Sequence, residues 1–325
     1  MKRIKTQSLS WLRFFFLEYF IFVNLKRIKK MKKIIFLFTI ILSLVSCSKP
    51  KKETSFKIGV ISDCQYCDCE IKWDRYYKKA PQRLKEAVAV LNKDTLNYTI
   101  HLGDFIDKNF ESLDSVLPTW KQLKSKTYHV LGNHDFEVKD SLKREVIKKL
   151  DLKNRYYSFV EKDWRFIVLD GNDLSFYGAL TELKKRQTDS LFNSLNKELP
   201  YVKAWNGALS TTQLKWVKEE LDKAVQNNQK VGFYCHFPIF PIDMHNIWNR
   251  EQFLSLIAPY KNVKLFFNGH NHAGAYQLVN NVHYLTFKGM VDTENTSAFA
   301  KVKFDKDTIT VEGFDREPSR KLILK

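Results

Sequence analysis

The sequence predicts an α/β fold, an αββα sandwich in which two packed mixed β-sheets are flanked by helices. Three observations predict it. Short apolar, β-branched or aromatic runs alternate with amphipathic stretches from Phe56 onward. The last four apolar runs arrive without helices between them, as antiparallel strands do. Where the earlier runs end, one chemistry recurs: Asp, Asn, Gln and His. Periodicity alone leaves a single doubly wound sheet open.

Taken in order, "FKIGVIS" (56–62), "YTIHL" (98–102), "TYHVL" (127–131), "WRFIVLD" (164–170), "VGFYC" (231–235) and "VKLFFN" (263–268) read as buried strands bounded by polar or glycine turns. Helices are expected at 75–92, 112–124, 137–150, 181–197, 211–227 and 249–258. In 211–227, Leu214, Val217, Leu221 and Val225 form an apolar stripe, with Ser210 or Thr211 as the cap. "AYQLV", "VHYLTF", "AFAKVKF" and "TITVEGF" then predict an antiparallel meander.

The net charge of +18 raises the question of nucleic acid, but half of it lies in the leader. Residues 1–46 hold ten Lys/Arg and one Glu; the remaining excess is scattered, which argues for a solvated surface and no nucleic-acid partner. From Met31, "MKKIIFLFTIILSLVSCSKP" has the basic start, short apolar run and small-residue site of an export signal. The run Ile34–Val45 is too short to span a bilayer as a stable helix. "LVSC" resembles a bacterial lipobox with Cys47 as the lipidated residue. A second apolar patch, "WLRFFFLEYFIFVNL", lies upstream, and translation from Met31 is the simpler reading. The expected organisation is a leader (1–46), a lipidated tether (47–55) and one domain (56–325). That domain would be exported and anchored to the bacterial envelope, on its periplasmic or outer-membrane face, with no obligate protein partner.

The strand ends read "SDCQ" (62–65), "LGDFID" (102–107), "LGNHDF" (131–136), "CHFP" (235–238) and "GHNH" (269–272). Open α/β sheets place ligands at strand C-termini. Oxygen and imidazole donors suit divalent Mn, Fe, Zn or Mg. Strand alternation points Asp63 and Gln65 together and Cys64 away, and it converges His270 with His272. Gly103, Gly132 and Gly269 each precede a candidate ligand, leaving room for close approach. Cys67 and Cys69 lack any zinc-site spacing and receive no role. His101, His129 and His283 stand outside the series.

This series closely resembles the calcineurin-like metallophosphoesterase superfamily, whose motifs are D-x-H, G-D-x-x-D, G-N-H-D/E, an isolated H and G-H-x-H, over 56–318. The resemblance implies two divalent metal ions. One would be held by Asp63, Gln65, Asp104 and His272. The other would be held by Asp104, Asn133, His236 and His270, with Asp104 shared. His134 would be the catalytic histidine beside the leaving group. Asp135 is grouped with Asp104 and His134 as catalytic, and it and Asp107 would orient neighbours.

Gln65 departs from the usual histidine, and a glutamine there is characteristic of the manganese-dependent ADP-ribose/CDP-alcohol diphosphatases. "DRYYKKA", "YYSFV", "WRFIVLDGNDLS", "WNGALSTTQLKWV", "FPIFP" and "GHNHAGAY" resemble the same family. It implies Arg75 near the substrate phosphates. The loop with His245, Asn246 and Trp248 is expected to help select the substrate, a small phosphorylated nucleotide. The implied reaction is hydrolysis of a phosphoanhydride by hydroxide that the metal pair generates, with manganese the foremost cofactor. The alternatives are a phosphomonoesterase or phosphodiesterase of the superfamily, or a non-enzymatic ligand-binding lipoprotein.

Overall fold

Alternation along the strands builds the molecule from the inside outward. The computed structural model describes residues 16–33 and 55–325. The chain divides into two units, Met1–Glu53 and Thr54–Lys325, each taken by itself. In the first, 16–33 form a helix, α1, with exposed Phe16, Phe20 and Phe22. No described helix is long and apolar enough to cross a membrane. Cys47 and most of the tether lie outside the described residues.

The second unit runs β1 (Phe56–Ile61), α2 (Ala80–Leu91), β2 (Tyr98–His101), α3 (Ser112–Trp120), β3 (Lys126–His129), α4 (Lys143–Lys149), β4 (Tyr157–Glu161) and β5 (Trp164–Val168). Then come β6 (Leu174–Ser175), α5 (Glu182–Ser194), β7 (Gly207–Ala208), α6 (Thr211–Gln226), β8 (Lys230–Tyr234) and α7 (Arg250–Ile257). The chain ends with β9 (Val263–Asn268), β10 (Ala275–Val279), β11 (Val282–Thr286), β12 (Ala298–Phe304), β13 (Thr308–Asp315) and β14 (Arg320–Ile323).

One six-stranded sheet has the order β14-β13-β12-β1-β2-β3 and the other β10-β11-β9-β8-β5-β4. Both are mixed: β1, β2 and β3 are parallel while β12 runs antiparallel to β1. Phe56, Ile58 and Val60 of β1 meet Trp164, Phe166 and Val168 of β5 in the inter-sheet core. The Tyr98 and Tyr234 hydroxyls bond across it at 2.8 Å. The opposite face of the first sheet is covered by α2 and α3, and that of the second by α6 and α7. Two sheets, each with an outer helical layer, replace the doubly wound alternative.

Three expectations need correction. The tail is no single meander: β10–β11 closes the second sheet, with β11 parallel to β9, and only β12–β13–β14 runs antiparallel in the first. The helix expected at 75–92 begins at Ala80, because Pro81 suits only a first turn. The stripe of α6 ends at buried Ala224, while Val225 is exposed. Ser210 is its cap, accepting from the Gln213 amide at 3.3 Å.

Candidate metal centre

The ligand candidates sit just beyond the strands, where the backbone bends sharply. Asp63, Gln65, Asp104 and His270 all have positive φ, of 49°, 45°, 56° and 67°. A left-handed residue with a side chain costs about 1–2 kcal/mol, and such strain concentrates at functional sites. The strand argument therefore rests on the wrong geometry. β1 ends at Ile61 and β9 at Asn268, so the bends, rather than the pleat, aim these side chains. Two missing Cβ atoms allow the closeness. One on Gly132 would stand 2.0 Å from Asp104 Oδ1, and one on Gly269 would stand 2.1 Å from Ser62 Oγ.

The bends gather the candidate ligands into close sets. Asp104, His236 and His270 present ligand atoms within 4.8 Å of one another, all buried. Asp104 Oδ2 lies 3.1 Å from His236 Nε2 and accepts from Gln65 Nε2 at 3.1 Å. On the other side, His272 Nε2 is 3.4 Å from Asp63 Oδ1. The imidazoles are oriented from behind. His236 Nδ1 lies 2.9 Å from the Leu102 carbonyl, His270 Nε2 2.8 Å from Asn206 Oδ1, and His272 Nδ1 2.9 Å from Asp292 Oδ1. Such partners fix the tautomer and free the other nitrogen for a metal.

The donor chemistry fits cations. Gln65 Oε1 and Asn133 Oδ1 are buried with no hydrogen-bond partner, which is costly for polar atoms unless something electropositive sits among them. Burial and the neighbouring His236 hold His270 well below the ordinary imidazole value. The sulfurs do not take part. Cys67 and Cys69 form a disulfide, and burial pushes the Cys64 thiol far up and the Cys235 thiol to about 12.

His134 lies beside this centre. Its backbone N–H donates to Asp104 Oδ1 at 2.8 Å, while its Nδ1 is 2.6 Å from Asp107 Oδ1 and 3.2 Å from Glu137 Oε1. Burial opposes charge on the ring, but Asp104 and the bonds to Asp107 and Glu137 raise its pKa to about 10. A cavity of about 520 Å³ opens over Asp104, Asn133, His134, His270 and His272. Arg75 and His245 stand on its wall, together with Lys72, Trp73, Tyr77, Asp107, Lys108, Glu137, Tyr177, Trp205 and Met244.

Two site assignments are overturned. Asp135 does not reach the cavity: its oxygens accept from the amides of Asp104, Phe105, Ile106 and Gly132. Burial and Asp104 push its pKa up to about 7. All four partners are nonetheless donors, so the cradle is built for the carboxylate. Asp135 shapes the turns that carry Asp104 and Asn133. Trp248 is 1% exposed, packs edge-on or tilted against Phe176 and Phe192, and donates Nε1 to the Lys203 carbonyl at 2.9 Å. An indole this enclosed fixes the segment bearing Trp205 and Asn206 and cannot meet a substrate. Asn246 likewise ties its own loop, bonding Pro241 and Asp243. Sequence reasoning missed Asn206, Asp292 and Glu137. Only Asn206 left a sign, inside the family-like "WNGALS".

The family described as calcineurin-like phosphoesterase matches residues 56–274. The chain is 29% identical over 320 residues to a mouse protein named manganese-dependent ADP-ribose/CDP-alcohol diphosphatase, covering 82% of this chain and 93% of that one. A rice protein of the same name is 28% identical over 299 residues, with the same coverage. Among solved structures, a dimetal phosphatase from Danio rerio superposes with a TM-score of 0.75 at 24% identity, covering 83% of this chain and 99% of that one. The matched span contains the five strand-end segments and ends just beyond His272. With this match over most of its length, the chain belongs to the calcineurin-like phosphoesterase family and is a metal-dependent hydrolase.

Proposed function

We propose that the chain is a manganese-dependent diphosphatase that cleaves the phosphoanhydride of nucleoside diphosphate-linked substrates of the ADP-ribose or CDP-alcohol type. The observation that carries this is one cavity lined at once by the candidate ligands Asp104, Asn133, His270 and His272, by His134 and by Arg75, over the buried group Asp104, His236 and His270. The names of the mouse and rice relatives support the substrate class. Asp63, Gln65, Asp104 and His272 would hold one ion, and Asp104, Asn133, His236 and His270 the other. When bound, two such ions polarise a phosphoryl oxygen and make water nucleophilic at neutral pH.

The chain's own groups do the rest. Arg75 offers a planar guanidinium to a phosphate. His134, its Nδ1 held by Asp107 and Glu137, presents the other ring nitrogen as proton donor to the leaving oxygen. ADP-ribose, CDP-choline, a 2′,3′-cyclic nucleotide and p-nitrophenyl phosphate, assayed side by side with Mn²⁺, test the reading. ADP-ribose or CDP-choline is expected to have the highest kcat/KM. Preference for p-nitrophenyl phosphate or the cyclic nucleotide overturns it in favour of a monoesterase or phosphodiesterase. Absence of Mn²⁺ binding by titration calorimetry overturns it in favour of a ligand-binding protein.

We also infer export and lipidation at Cys47, on the pattern "LVSC" after a short apolar run. Cys47→Ala is expected to shift the protein from the membrane to the soluble fraction. An unchanged distribution refutes the anchor.

A further inference from the structure

We propose that Lys72 and Lys108 bind the second phosphate of the substrate, the one not under attack, and so select diphosphates over monoesters. The inference rests on the reading of the site given above. Three cations, Lys72, Arg75 and Lys108, line the cavity. Among the described residues none of them forms an ion pair, whereas nearby Lys78 and Lys79 pair with Glu70 and Glu294 at 2.7 and 3.8 Å. The acids on the same wall are already engaged: Asp104 with the donor groups, Asp107 and Glu137 with His134. Positive charge in the cavity thus exceeds what the protein itself answers, and its complement is an anionic group beyond the one at the metals.

Both lysines are exposed side chains on backbone that is held in place. Lys72 and Arg75 flank a tight turn, with the Arg75 amide donating to the Lys72 carbonyl at 3.1 Å and Trp73 at φ 53° between them. The Trp73 ring carries Lys72 Nζ at 4.5 Å and Arg75 Cζ at 5.6 Å from its centroid. Such contacts draw both side chains to the exposed Trp73 ring at the cavity wall. Lys108 follows Asp107 directly, and its carbonyl accepts from Ser112 Oγ at 2.6 Å, which anchors it to the start of α3. A monoester spends its whole charge on the phosphate at the metals. A diphosphate linkage places a second anion one bridging oxygen away, and only that anion can use these lysines.

The double variant Lys72→Met/Lys108→Met is expected to lower the ratio of kcat/KM for ADP-ribose or CDP-choline to that for p-nitrophenyl phosphate about tenfold. The loss should fall in KM and shrink as salt rises. Lys78→Met, which removes a charge outside the cavity, serves as control and should keep the wild-type ratio. A double variant with the wild-type ratio overturns the lysine assignment alone. Equal losses on both substrate types also overturn it, since they mark a structural role. Wild-type protein that hydrolyses p-nitrophenyl phosphate but neither diphosphate overturns the reading of the site and this inference with it.

Discussion

His134→Ala is expected to lower kcat by about 10²–10⁴ while Mn²⁺ binding persists. The two effects separate because two parts of one residue do different work. The His134 amide, which any side chain retains, donates to Asp104 Oδ1 and steadies the shared carboxylate. The imidazole lies outside the two ligand sets proposed above and lines the cavity, bonded to Asp107 and Glu137. Its loss strands Asp107, which is 2% exposed, so His134→Gln is the companion variant that keeps a donor toward that acid. Proton donation leaves a chemical signature. For aryl phosphate esters the defect should be larger with phenyl than with p-nitrophenyl, because phenolate needs its proton more. Equal defects on the two esters, or full activity in either variant, defeat the assignment of His134 as acid. Calorimetric titration with Mn²⁺ checks that the metals still bind.

Much of this centre is legible in the sequence because parallel strands all deliver their C-terminal ends to one edge. Asp63, Asp104, Asn133, His236 and His270 each follow a recognisable apolar run, so linear order suffices to gather them. The residues that orient them leave no comparable trace. Asn206 reaches His270 across 64 positions, and Asp292 reaches His272 from a loop without regular structure. Neither has a local pattern, since both are brought in by packing between segments. Trp248 misleads for the opposite reason: an aromatic residue beside a polar loop looks like a contact surface, and only burial against Phe176 and Phe192 reveals otherwise. The same holds for the sheet assignment of β10 and β11. Their alternation is plain, but which edge they join depends on the parallel pairing of β11 with β9, about which periodicity is silent.

Arg83→Met is expected to destabilise the fold by about 3 kcal/mol or more, lowering Tm by roughly 6–12 °C. No sequence motif draws attention to Arg83, yet the residue is 5% exposed and its guanidinium bonds only main-chain carbonyls. Nη1 donates to Met290, Val291 and Asp292 at 2.9, 2.8 and 3.1 Å, and Nη2 to Thr293 and Glu294. Five successive carbonyls with no sheet or helix to satisfy them are answered by one planar fork of donors. Methionine fills similar volume but removes these donors, leaving the buried Met290 carbonyl and the Thr293 carbonyl unanswered, while Val291, Asp292 and Glu294 keep the Tyr76 amide, Arg316 and Lys79. The clasped segment also touches the centre at three places. Met290 and Val291 amides donate to the Ser62 and Asp63 carbonyls at 2.9 and 3.1 Å, the Tyr76 amide bonds the Val291 carbonyl at 2.9 Å, and Asp292 orients His272. Weaker Mn²⁺ binding, by about 10–100-fold, should therefore accompany the lower Tm. Arg83→Lys should fall between, because an ammonium group restores charge but cannot span all five carbonyls. A Tm for Arg83→Met within about 2 °C of wild type would show that water can replace the guanidinium. The path from α2 through residues 290–294 to His272 would then carry no energetic weight.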